Sequence, residues 1–302
     1  MLTLDIAKIR ERLAHDNQRM LERYDPDESI EFLDSVPSHK SYHYLPQGLH
    51  QLWAALSLDF GREGFDAFQK LTMLRLMERF ELRAVGEQYS ESIRDCFAFS
   101  FRRIVQTMAN PVFDKYQSGN DILLKDLAIC RQKVFPAGAQ LVEKDSGFHR
   151  SLIFRAGLHQ GVRVIALLIR TSGNRPFYQI HTHLSELEEF NREGWDHCYL
   201  RIADMLRLHP DTKGVWSGSW YFDPALEKIS PRLSYLRERA IKNGASLFYD
   251  CVDIDGGALS KSKSRQDLYR QGKYLPKVYA MIWPRKPLLA WASRFERGSR
   301  ST

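Results

Sequence analysis

His181 and His183 stand two residues apart in the segment Phe177-Tyr178-Gln179-Ile180-His181-Thr182-His183, whose apolar and aromatic content reads as a strand. Residues at i and i+2 of a strand point to one face, so this pair is spaced to share a metal ion, with Glu186, Glu188 or His197 completing the set. The same stretch reads differently if the chemistry is acyl transfer to an amine. A base must then take a proton as the nitrogen attacks, and His183 or Glu186 is placed for that task. An N–H or hydroxyl must also steady the oxyanion. Further along, Ser217, Ser219, Tyr221 and Asp223 alternate on a predicted strand, which puts two hydroxyls, a phenol and a carboxylate on one face. Such a face suits a substrate pocket, with Trp216 closing its rim. The plainer alternatives are an edge strand with Ser and Tyr facing water, and one hydrogen-bonded plus one exposed histidine.

Other chemistry is excluded by spacing. His197 and Cys198 are neighbours on a predicted helix and diverge by about 100°, so they do not face each other. Gly218-Ser219 lacks the flanking pattern of a nucleophile elbow, and the chain has neither a P-loop nor a dinucleotide fingerprint. The four cysteines are scattered with no CxxC pair, which favours reduced thiols in a cytoplasmic protein. The longest apolar run, Val162 to Ile169, is interrupted by Arg163 and closed by Arg170, so no membrane span is expected.

The elements that must position these residues follow from periodicity. Up to Val134 the apolar spacing is helical, with stripes over Leu49 to Leu58, Phe65 to Phe80, Ser92 to Met108 and Leu123 to Val134. From Phe135 the pattern is that of strands: Ser151 to Arg155, Gly161 to Arg170 and Phe177 to His183. A helix opens at Asn191 or Glu193 and ends at His209-Pro210, and Gly214 to Phe222 is the next strand. Ser230-Pro231 starts a second helix and Asn243-Gly244 stops it, before strands at Ser246 to Val252 and Val278 to Trp283. Two regions result: residues 1–134, helical, and residues 135–302, a mixed, mostly antiparallel sheet flanked by helices, an α/β (α+β) fold. Residues 256–277 form a basic insert, too long for a hairpin turn.

This order of elements, over roughly Ser151 to Trp283, resembles the catalytic core of the GNAT superfamily of N-acetyltransferases. The resemblance implies an acyltransferase whose site lies between the ends of the 177–183 and 214–222 strands, with a splay between them. It also implies a leaving-group tyrosine; Ala240 holds the family's position, and Tyr221 and Tyr235 are the substitutes. The family's glycine-containing pyrophosphate loop corresponds to Leu184 to Glu193, which has no glycine and four glutamates. Acyl-CoA is therefore less suited as donor than an acyl group on a carrier protein or an RNA. The residues from Cys251 onward carry eleven Lys or Arg against four acids, an excess equal to the whole chain's +7, and are the expected contact for a polyanion. The spacing of His181, His183 and Glu188 is also similar to the cupin pattern HxHx(3 or 4)E, though cupins continue in strands where this chain turns helical. A metal-dependent enzyme is thus the second reading, no metal being the first choice. An RNA- or carrier-protein-binding module is the third.

Overall fold

The computed structural model of the 302-residue chain describes residues 2–80, 88–110, 116–182, 188–260 and 262–299. These residues divide into two compact units. One takes in residues 2–137 and 141–144, the other residues 138–140, 145–182 and 188–299.

The first unit is built from α1 (Leu2–Asp16), α2 (Pro26–Asp34), α3 (Gln47–Glu78), α4 (Glu91–Ala109) and α5 (Asp121–Cys130). It closes with an antiparallel pair, β1 (Val134–Pro136) and β2 (Leu141–Ser146), registered Phe135 against Val142. Pro26 at the first helical position and the Asp25 carboxylate, which accepts the Asp27 N–H at 2.9 Å, start α2. Within α3, Gly61 adopts φ 65° and ψ −165°, a conformation essentially confined to glycine, and this separates the two apolar stripes. The fully buried Asp126 accepts from Arg103 at 2.6 Å and from the Tyr116 hydroxyl at 2.9 Å, so the core's charge is paired and hydrogen-bonded. The helical pattern stops at Cys130, and Val134 already belongs to β1, one turn sooner than the periodicity suggests.

The second unit contains α6 (Gly157–Arg170), β3 (Phe177–His181), α7 (Arg192–Leu208), β4 (Gly214–Ser219), α8 (Tyr235–Lys242), β5 (Ser246–Val252), α9 (Lys263–Arg270), β6 (Lys277–Pro284) and α10 (Arg285–Ser299). Its strands lie in the order β3-β4-β6-β5. The β3/β4 pair is parallel, while β4/β6 and β5/β6 are antiparallel. With β1 and β2 the described strands number six, mixed and mostly antiparallel, interspersed with helices, which is the expected α/β character.

Alternation sorts the sheet's side chains into two layers. Trp216, Ala280, Ile282 and Phe248 pack with Val164 and Leu167 of α6 and with Phe148, Leu152 and Phe177. On the opposite face Trp283 meets Tyr199 of α7 at 5.1 Å and Trp291 of α10 at 5.3 Å between ring centroids.

Three expectations are corrected. Ser151 to Arg155 and Gly161 to Arg170 are not strands: Arg150–Phe154 is a 3-10 turn and α6 is a helix. Its buried residues Gln160, Val164 and Leu167 recur at helical spacing, and a short β-branched run does not by itself distinguish helix from strand. Gln160 then locks the helix down, its Nε2 donating to the carbonyls of Leu152 and Tyr249 and its Oε1 accepting from the Tyr249 N–H at 2.8 Å. The predicted strand Gly214 to Phe222 ends at Ser219, and Trp220–Phe222 is a 3-10 turn. The 256–277 insert, too long for a hairpin turn, holds the short helix Gly257–Ser260 and α9. No helix among the described residues is long and apolar enough to cross a membrane.

Candidate functional site

The backbone ladder between β3 and β4 is short, with Tyr178 opposite Val215 and Gln179 opposite Trp216. One residue on, a side chain takes over: Ser217 Oγ donates to the Ile180 carbonyl at 3.1 Å. This side-chain bond carries the link between the two strands one residue past their backbone ladder.

Beyond it the turn Trp220–Phe222 brings Tyr221 back over the strand ends. Its hydroxyl lies 3.5 Å from Thr182 Oγ1 and within hydrogen-bonding influence of Ser217 and Ser219. The ring is caged by aromatics, with centroids of Phe190 at 6.2 Å, Trp195 at 6.1 Å, Trp220 at 5.8 Å and Phe222 at 4.7 Å. Burial raises the Tyr221 pKa above its ordinary value, and the hydroxyls of Thr182, Ser217 and Ser219 act in the opposite sense. Nearby, Trp195 Nε1 and the Tyr199 hydroxyl are buried with no hydrogen-bond partner among the described residues. The site therefore presents a protonated phenol, three hydroxyls and two unengaged donors against an apolar wall.

Of the residues singled out in the sequence, Ser217, Ser219 and Tyr221 are brought together, and the rest are dispersed. Trp216 sits in the core on the α6 face, its Nε1 donating to Ser146 Oγ at 3.4 Å, and forms no rim. Asp223 lies beyond the turn, where Oδ1 accepts the Ala225 N–H at 2.9 Å. Burial raises the Asp223 pKa, and the backbone N–H groups of Ala225 and Lys277, followed by the charges of Lys277 and Arg237, partly offset it. Tyr235, first residue of α8, donates its hydroxyl to the Phe190 carbonyl at 3.1 Å and carries Arg192 over its ring. His183 and Glu186 lie outside the described residues. His181 is half-buried, Glu188 is exposed, and no group of three His, Cys, Asp or Glu is placed to hold a metal among the described residues.

Sequence reading missed Thr182, Phe190 and Arg265. Thr182 was overshadowed by its two histidine neighbours, and Phe190 sits in a loop with no periodicity. Arg265 of α9 is buried, stacks 4.4 Å over the Trp220 ring and donates to the Ala258 carbonyl at 2.6 Å. It thereby fastens the insert to the turn that carries Tyr221.

The N-terminus of α7 is closed by its own chain. Asn191 Oδ1 accepts the Gly194 N–H at 2.9 Å, and a Cβ at Gly194 would collide with the Glu189 carbonyl oxygen. This glycine serves close backbone packing, and the first-turn N–H that a diphosphate would use is already engaged. No family model matches this sequence, and neither a curated protein nor a solved structure matches it.

Proposed function

We propose that the second unit is a cytoplasmic acyltransferase acting at the C-terminal ends of β3 and β4, moving an acyl group to an amine or hydroxyl acceptor. The observation that carries this reading is the cluster of Tyr221, Thr182, Ser217 and Ser219 where a parallel strand pair loses its ladder. The acceptor attacks the acyl carbonyl while His183 or Glu186 takes its proton. Hydroxyls at the strand ends steady the oxyanion. When the intermediate collapses, the departing thiolate or alkoxide takes the Tyr221 proton, which burial keeps in place at neutral pH. The capped start of α7 favours a donor that does not need a diphosphate cradle there, an acylated carrier protein or an aminoacylated RNA over acyl-CoA.

The test is acyl transfer from each of these three donors to a panel of amines, followed by mass spectrometry, with Tyr221→Phe as the control. Product formed by the wild type and reduced at least about tenfold in kcat by Tyr221→Phe supports the reading. Product from none of the three donors, or full activity in the variant, overturns it.

A further inference from the structure

The outer face of α6 is apolar. Leu158, Val162, Ile165 and Ile169 are 85, 58, 47 and 75% exposed, and the preceding Phe154 is 84% exposed. At 100° per residue these four helical positions fall within about 60° of one another. His159, Arg163 and Arg170 follow on one flank of the stripe at i, i+4 and i+11. A water-facing helix does not ordinarily concentrate four large apolar side chains on one line.

At the C-terminal end of the same helix lies an open cleft of about 590 Å³. Its lining includes Arg170, Lys213, Arg285 and Lys286 and no acidic residue. Arg285 donates to the carbonyls of Leu206, His209 and Thr212, and Lys213 donates to the Ser172 carbonyl. These partners are neutral, so the positive charges are held in place without being cancelled. Arg170 and Lys286 are exposed and have no ion-pair partner among the described residues.

We propose that α6 and this cleft form a docking surface for an anionic phospholipid bilayer, the apolar stripe entering the acyl boundary and the cleft receiving a lipid phosphate. The two features are contiguous through Arg170, which ends the helix and lines the cleft. An apolar stripe with a basic flank is the pattern of a helix that lies in the interface plane, and the cations add attraction to anionic headgroups. A second copy of the chain fits less well. A two-fold contact through this stripe would set the Arg163 and Arg170 flanks of both copies near one another with no acid between them. The proposal is independent of the acyl-transfer reading.

The experiment is co-sedimentation of the full chain with vesicles of phosphatidylcholine alone and of phosphatidylcholine with about one-third phosphatidylglycerol. Binding to the anionic vesicles only, weakened by salt, is expected. Leu158→Glu/Ile169→Glu should abolish it, and Arg170→Ala/Lys286→Ala should weaken it about tenfold or more, both with unchanged circular dichroism. Lys228→Ala/Lys263→Ala removes the same net charge from exposed positions elsewhere and should leave binding intact. Absence of binding to anionic vesicles, undiminished binding by the Leu158/Ile169 variant, or an equal loss in the Lys228/Lys263 control overturns the proposal. So does saturable binding of inorganic pyrophosphate to a protein that ignores vesicles, or a dimer that the Leu158/Ile169 variant dissociates in the absence of any vesicle binding.

Discussion

Tyr221 keeps its proton because burial among aromatic rings disfavours the phenolate more than the neighbouring hydroxyls of Thr182, Ser217 and Ser219 favour it. A group that acts as an acid loses activity as pH rises through its pKa in the folded protein, and burial has moved this one above 10.0. The rate of acyl transfer is therefore expected to show no Tyr221-dependent alkaline limb below that pH. A falling limb at lower pH that Tyr221→Phe removes would contradict the assignment. Asp223 offers a second pH-dependent expectation. Its carboxyl is raised in the folded state, so the native protein holds that proton more tightly than the unfolded chain, and stability is lost as pH rises through the folded value. Thermal melts should show the wild type losing stability relative to Asp223→Asn between acid and neutral pH. A difference that is constant with pH would refute this. Ser217, Ser219 and Tyr221 were recognisable in the sequence because a polar run in a strand otherwise rich in aromatics is unusual. Their partners were not, because the turn at Trp220 that folds the phenol back carries no glycine or proline to announce it.

At the scale of elements, α7 was legible through Asn191 and His209-Pro210, the end of α8 through Asn243-Gly244, and β5 and β6 through their apolar runs, whereas the expected helix start at Ser230-Pro231 is a 3-10 turn and α8 begins at Tyr235. Helix α6 was not. Its inward face is only Gln160, Gly161, Val164 and Leu167, while exposed valine and isoleucine fill the intervening positions and erase the polar side that marks an amphipathic helix. Beside Val164 and Leu167 in the core, Gln160 fastens α6 through its three hydrogen bonds. Gln160→Leu should cost about 2 to 4 kcal/mol, because the Tyr249 N–H and two carbonyls lose their partner in a buried setting. Urea unfolding measures this, and a change under about 0.5 kcal/mol would mean that other contacts hold the helix. Gly194→Ala should likewise destabilise the entry to α7, since the Glu189 carbonyl must move to admit the methyl group.

Across the whole molecule, each unit has its own core, and a lesion in one is expected to register mainly there. Asp126→Asn in the first unit leaves Arg103 short of its carboxylate in a buried site and should cost about 3 to 5 kcal/mol. Hydrogen exchange should rise through α3, α4 and α5 while β4 and β6 keep most of their protection. Equal loss in both sets would show that the two units unfold as one. The uneven charge visible in the sequence has a structural counterpart in the cleft at the start of α10, but two of its four cations, Arg170 and Lys213, come from outside the basic C-terminal stretch.

Strand β6 lies between β4 and β5, pairing with both, although it follows both in the chain. During synthesis β4 and β5 must therefore wait with open edges until Lys277–Pro284 has emerged to join them. A chain interrupted before residue 277 would lose more than its tail: it would expose two adhesive strand edges at once. Nonsense variants throughout the 256–276 stretch should then yield insoluble protein rather than a trimmed, functional one.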